Sequence, residues 1–335
     1  MKGSNFANIG ITFKGCGSYL PTQVLSNEDI SQIVDTSDEW IQTRTGISNR
    51  RIAEIDENVS DMGFKAALSA MNMANWTSES VDLIILATST PSDLFGSAPM
   101  IQAKLQAKNA LAFDLTAACS GFLFALITAS QYLSSGKYKR ALVIGSDQLS
   151  SYVDWKDRGS CILFGDGAGA MAIEASNDQN NLFGFNLRTD GERGCFLNLN
   201  NKKLNGKVTD QIKFRKGEFS YISMNGQEVY KFAVREVPII ISDLVKKVDF
   251  ESADIDWLIL HQANQRILDA VGERLKIKKD KILTNLNKYG NTSAATIPLV
   301  FDEFIRNKKI KKNDIILTSG FGAGLSWGAA LLKWG

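Results

Sequence analysis

Phe113-Asp114-Leu115-Thr116-Ala117-Ala118-Cys119-Ser120-Gly121 is a short apolar run that gives way to small residues and one cysteine, with a helical stretch from Phe122 to Leu133 beyond it. It reads as strand, turn and helix, the building unit of an α/β fold. A cysteine at such a junction sits where unpaired backbone N–H groups and the positive end of a helix dipole favour negative charge, so its thiolate is expected to form more readily than a free thiol's. Cys119 is therefore a candidate nucleophile. A small buried apolar group is the other reading of the same residue.

The flanking chain repeats that unit. Val81-Asp82-Leu83-Ile84-Ile85-Leu86, a continuous apolar run of strand length, recurs as Ile255-Asp256-Trp257-Leu258-Ile259-Leu260. Phe113 to Thr128 is echoed by Ile282 to Phe301, which sets Asn291 opposite Cys119. Ala141-Leu142-Val143-Ile144-Gly145-Ser146 is answered by Asp314-Ile315-Ile316-Leu317-Thr318-Ser319, and Gly167 to Ile173 by Trp327 to Leu332. Four matches in one order predict two similar α/β halves, residues 1–178 and 179–335. If the halves pack about a pseudo-two-fold, strand ends converge and Cys119, His261 and Asn291 meet between them. Asn181 to Tyr221, polar and weakly periodic, reads as a mobile connection with a few irregular strands. Ser60 to Met73 has helical spacing. Ser26 to Asp29 and Thr36 to Glu39 each have the pattern of a capping box, the second opening a helix that carries Trp40, Ile41 and Arg44.

Composition narrows the class. The chain has 335 residues, 44% hydrophobic with five prolines, enough for a large core. Its 38 basic and 36 acidic side chains nearly cancel, so no global field recommends nucleic acid or an anionic membrane. Cys16, Cys119, Cys161 and Cys195 are scattered and there is one histidine, so neither a metal site nor a disulfide framework is indicated. Met1 to Phe6 lacks the apolar core of a secretory signal and no run is long enough to span a bilayer, so a cytoplasmic location is expected.

His261, the only histidine, directly follows a buried strand and is trailed by the polar set Gln262 to Arg266. Asn291 lies in Tyr289-Gly290-Asn291-Thr292-Ser293-Ala294-Ala295, where it is either a helix cap or a carboxamide donor to an oxygen that becomes negative. Gly320-Phe321-Gly322-Ala323-Gly324 follows the last apolar strand and lets backbone N–H groups approach a reacting carbonyl, although a tight turn would also explain it.

Ala-Ala-Cys119-Ser-Gly, His261-Gln-Ala-Asn264-x-Arg266, Gly-Asn291-Thr-Ser-Ala-Ala and the terminal Phe-Gly-Ala-Gly-Leu-Ser-Trp-Gly together resemble the 3-oxoacyl-[acyl-carrier-protein] synthase III family of thiolase-like condensing enzymes. Thr36 to Ile41, Arg44 to Ile47, Asp157 to Ser160, Phe164 to Ala170, and Met224 to Lys231 extend the likeness over almost the whole chain. The resemblance implies an α/β thiolase-like fold of α-β-α-β-α layers, and an acyltransferase that starts type II fatty acid synthesis. Acyl-CoA, usually acetyl-CoA, is a substrate and no cofactor stays bound. Cys119 takes the acyl group. Malonyl acyl carrier protein then loses CO2, with His261 and Asn291 stabilising the enolate, and backbone N–H groups of Cys119 and Ala323 form the second oxyanion hole.

By the same likeness Trp40 and Arg158 sandwich the adenine of CoA, Thr36 and Arg44 contact its phosphates, and Asn264 lines the pantetheine channel. Phe95 reaches across a homodimer to close the partner's acyl pocket, and Lys231, Arg266 and Arg274 form a patch for acidic carrier protein. A starter-unit synthase of a polyketide or quinolone pathway is the alternative enzyme, and a catalytically silent carrier-protein docking module the alternative from another class.

Overall fold

The computed structural model describes residues 9–335, so the reading of Met1 to Phe6 lies outside the described residues. Ten strands build two five-stranded sheets. The first holds β1 (Gly10–Tyr19), β2 (Leu83–Ala87), β3 (Leu111–Leu115), β4 (Arg140–Gln148) and β5 (Asp166–Ser176) in the order β1-β5-β4-β2-β3. The second holds β6 (Leu182–Thr189), β7 (Trp257–Leu260), β8 (Ile282–Leu283), β9 (Ile315–Gly322) and β10 (Ser326–Lys333) in the order β6-β10-β9-β7-β8. Position by position the orders match, and so do the strand directions: β4-β2-β3 and β9-β7-β8 are parallel, while β1, β5, β6 and β10 pair antiparallel. The fourfold echo in the sequence is this duplication.

The alternation of side chains along each strand explains the layering. On β2, Leu83, Ile85 and Ala87 point into a central core, whereas Ile84 and Leu86 pack under the outer helices Val59–Ala74 and Ala98–Leu105. On β7, Ile259 joins the central core while Leu258 and Leu260 meet the helices Gly226–Lys247 and Gln265–Leu275 on the other outer face. Helices Gly121–Ser134 and Thr296–Arg306 lie between the sheets and touch strands of both. The result is the α-β-α-β-α arrangement. Covered on both sides, Gly121–Ser134 is apolar around its whole axis, whereas Thr296–Arg306 keeps Glu303 and Arg306 together on one side.

Three expectations differ in detail. Leu182–Thr189 is not connection but the edge strand of the second sheet, paired along its length with β10; alternation is weak there because an edge strand buries little of itself. The irregular part is Gly191 to Tyr221, with a two-stranded hairpin, Asn205–Lys207 and Lys213–Arg215. Asn291 is not the counterpart of Cys119. Turns Ala118–Ser120 and Ser293–Ala295 precede the two central helices, so Cys119 corresponds to Ala294. Ser26 does form its capping box with Asp29, but the next helix, Asp38–Thr45, is capped by Ser37, one residue later than the pattern suggested.

Candidate active site

Both turns at the centre hold a non-glycine residue in the left-handed region, Ala118 at φ 47° and Ser293 at φ 52°. Such conformations cost about 1–3 kcal/mol and persist where surrounding packing demands them. Here the demand is close approach between the halves. At Gly145 on β4 an added Cβ would overlap the Ala294 carbonyl, and at Gly322 on β9 it would lie 2.7 Å from the Cys119 nitrogen and 3.0 Å from its Cβ. Hydrogen at those two positions lets the turns of opposite halves interlock.

Cys119, His261 and Asn291 line one cavity of about 100 Å3, together with Asn264, Phe321 and Gly322. Cys119 also lines a second cavity of about 530 Å3, walled by Leu94, Leu149, Phe164, Leu199, Ile222 and Ala323 among others. The sulfur therefore stands between a narrow chamber that carries the His261 and Asn291 side chains and a wider apolar one. Asn264 reaches the narrow chamber but also caps the Gln265–Leu275 helix, accepting from Arg266 N at 2.9 Å and donating to the Arg44 carbonyl at 3.0 Å.

Burial sets the charge states. The Cys119 thiol is pushed up to about 12, chiefly by desolvation; the nearby Asp147 carboxylate adds to the rise, and the Ser293 hydroxyl and the cysteine's own N–H oppose it. Burial thus opposes the ready thiolate expected from the sequence, because loss of water outweighs the helix end. His261 is lowered to about 3 by burial alone, so its imidazole is neutral. Its Nδ1 lies 2.7 Å from the Thr296 hydroxyl, and its ring meets Phe321 edge-on at 5.1 Å.

Asn291 is held from both ends. Its backbone N–H donates to Leu163 O at 2.9 Å and its carbonyl accepts from Gly165 N at 3.0 Å, while Ser293 N donates to its Oδ1 at 2.9 Å. With that oxygen occupied, the amide NH2 is the end left for the chamber. Behind the turn, fully buried Asp147 accepts from Ser89 N at 2.7 Å, the Thr90 and Thr88 hydroxyls at 3.0 and 3.1 Å, and Ala294 N at 3.1 Å. Below Leu163, the fully buried Arg50 guanidinium donates through Nε to Ile162 O at 3.1 Å and through Nη1 to Asn27 Oδ1 at 2.6 Å. Asp147, Ser293, Thr296 and Arg50 escaped the sequence reading. Only Ser293, inside the Gly-Asn-Thr-Ser-Ala-Ala motif, carried a local signal.

The remaining residues are spread outward. Arg158 stacks over Trp40 at 4.9 Å while donating to Asp35 O at 2.8 Å, and Arg44 lies 5.8 Å from the same ring. Guanidinium and indole are in contact, leaving no slot for a base between them. Thr36 Oγ1 is buried without a hydrogen-bond partner. Phe95, 98% exposed, does not line either Cys119 cavity; its neighbour Leu94 does. Lys231 pairs with Glu228 at 2.7 Å, Arg266 lies over Tyr230 at 5.5 Å, and Arg274 donates to Val234 O at 2.8 Å, so all three lie along the Gly226–Lys247 and Gln265–Leu275 helix pair. Among the described residues, no helix is long and apolar enough to cross a membrane.

The duplicated fold, with a cysteine and its polar neighbours gathered where the halves meet, defines a thiolase-like condensing enzyme. Family models described as 3-Oxoacyl-[acyl-carrier-protein (ACP)] synthase III and its C-terminal part match residues 113–191 and 245–334. The chain is 69% identical over 335 residues to Beta-ketoacyl-[acyl-carrier-protein] synthase III of Prochlorococcus marinus strain MIT 9215, covering 100% of both chains. It is 56% identical over 334 residues to the protein of that name in Synechococcus sp. strain WH7803, covering 100% of this chain and 99% of the relative. Among solved structures, 3-oxoacyl-[acyl-carrier-protein] synthase III from Aquifex aeolicus VF5 is similar at TM-score 0.89 with 44% identity, covering 97% of this chain and 100% of that one. The priming beta-ketosynthase of the R1128 polyketide pathway is similar at TM-score 0.89 with 31% identity, over 97% and 96%. The chain belongs to the 3-oxoacyl-[acyl-carrier-protein] synthase III family, condensing acyltransferases of fatty acid synthesis.

Proposed function

We propose that Cys119 carries the acyl group between two substrates, acyl-CoA and malonyl acyl carrier protein, and that His261 and Asn291 stabilise the charge formed when malonyl loses CO2. The observation that carries this reading is the single cavity lined by all three side chains. In the first half-reaction Cys119 loses its proton and its sulfur attacks the acyl-CoA carbonyl; the carbonyl–sulfur bond to CoA breaks, and CoA leaves as the thiol. The oxyanion formed on the way is met by backbone N–H groups of Cys119 and Ala323, both at the edge of the wider cavity. That apolar cavity takes the acyl chain.

In the second half-reaction the carbon–carbon bond to the malonyl carboxylate breaks and its electrons form an enolate. Two donors, the His261 imidazole and the Asn291 amide, meet the enolate oxygen. A neutral imidazole suits this role, since an imidazolium would protonate rather than hold it. The enolate carbon then attacks the thioester on Cys119, whose sulfur leaves, giving 3-oxoacyl carrier protein. Removing a donor of this kind costs about a hundredfold or more in rate.

Trp40, Arg158, Arg44 and Thr36 hold the nucleotide end of CoA, with Arg158 swinging off the indole as the adenine enters. Asn264 borders the pantetheine arm, and Lys231, Arg266 and Arg274 receive the acidic carrier protein. The exposure of Leu94 and Phe95 at the rim of the site supports a homodimer in which Phe95 closes the partner's pocket. Incubation with radiolabelled acetyl-CoA tests the reading: label should remain on wild-type protein, be absent from Cys119→Ala, and be released as 3-oxoacyl product on adding malonyl carrier protein. No adduct with any acyl-CoA would overturn it, and a panel of primers of increasing length identifies the acyl group accepted.

A further inference from the structure

The Thr296 hydroxyl has one proton and two neighbours able to accept it: the Ser293 carbonyl at 2.9 Å and His261 Nδ1 at 2.7 Å. The carbonyl also receives the backbone N–H of Thr296, so it keeps a partner when the hydroxyl turns to the closer ring nitrogen. Among the described residues, Nδ1 has no other hydrogen-bonding partner. Thr296 is 1% exposed and is the first residue of a central helix, so the hydroxyl is shielded from bulk solvent and the backbone holds it in place.

We infer that Thr296 is a positioning residue that donates to His261 Nδ1 and thereby fixes the imidazole proton on Nε2, the nitrogen it presents to the chamber. The inference rests on the proposed role of His261 as a donor. In the opposite tautomer Nδ1–H would donate to Thr296 and a bare Nε2 lone pair would face the lone pairs of an enolate oxygen, a repulsion in place of a bond. Asn291 is treated in the same way by the backbone: Ser293 N occupies its Oδ1 and leaves the NH2 forward. One short segment, Ser293 to Thr296, thus aims both donors. A buried hydroxyl that selects a tautomer acts through the ring it contacts without touching substrate.

The single histidine makes the test direct, since a protein carrying 15N-labelled histidine gives imidazole nitrogen signals from His261 alone. The free wild-type enzyme should show the Nε2–H pattern. Thr296→Val, similar in shape but without the hydroxyl, should shift the signals toward a mixture of tautomers, and Thr296→Ser should restore them. In assays, Thr296→Val should slow decarboxylation of malonyl carrier protein by about tenfold or more while labelling of Cys119 by acyl-CoA stays within about twofold. Wild-type signals of the Nδ1–H form, or a Thr296→Val protein with unchanged signals and an unchanged ratio of the two half-reactions, would overturn the inference. Because the tautomer is read on the free enzyme, it holds or fails independently of whether the condensation occurs.

Discussion

Cys119 keeps its proton at neutral pH, since burial raises the thiol to about 12. Alkylation of the free enzyme at Cys119 should therefore keep rising, about tenfold per pH unit, beyond the range where an ordinary thiol levels off. A plateau near neutrality would contradict the buried-thiol description. His261 has the opposite kind of shift. Its folded value, about 3, lies below the ordinary 6.5, so on acidification the unfolded chain takes up the proton first and stability drains away between those two values. Melting temperature should fall over that window, and His261→Gln should fall less steeply. The identity of these residues was legible in the chain, because a lone histidine after a buried strand and a cysteine before a helix are local patterns. The charge state of Cys119 was not, because its desolvation comes from segments distant in the sequence, such as the loop at Gly322.

The turns before the two central helices are where the halves depend on one another. Asp147, at the end of a strand in one half, accepts from the Ala294 N–H of the other as well as from three donors of its own side. Replacing it with Ala strands three buried donors, the Thr88 and Thr90 hydroxyls and the Ala294 N–H, each costing about 1–3 kcal/mol where no water replaces the carboxylate, while the N–H of exposed Ser89 can turn to solvent. Asp147→Ala should lower the melting temperature by many degrees, and in the protein that still folds the Ser293–Ala295 turn should loosen and condensation should slow. Calorimetry and the labelling assay check the two effects. The strand echoes were readable because apolar runs of strand length survive duplication. The register of Cys119 against its counterpart was misread by three positions. The second half inserts a short helix, Leu286–Tyr289, before its turn, and small residues on either side of Asn291 look alike in sequence. Leu182–Thr189 was missed for another reason: an edge strand lacks the two-sided burial that writes a continuous apolar run.

At the scale of the molecule, Leu94 and Phe95 are 81% and 98% exposed beside the wider cavity, an arrangement that a second copy would cover. The protein should sediment as a dimer. Phe95→Ala should leave the circular dichroism spectrum unchanged and alter the chain-length profile of accepted primers; an unaltered profile would remove Phe95 from the pocket. Neither effect was legible from composition, because side chains that complete a neighbour look like any exposed pair. The order of the second sheet has one more consequence. β10, Ser326–Lys333, is an interior strand, flanked by β9 and β6. Excising this strand would therefore leave a gap in the middle of the sheet instead of shortening its border, stripping β6 and β9 of their shared neighbour.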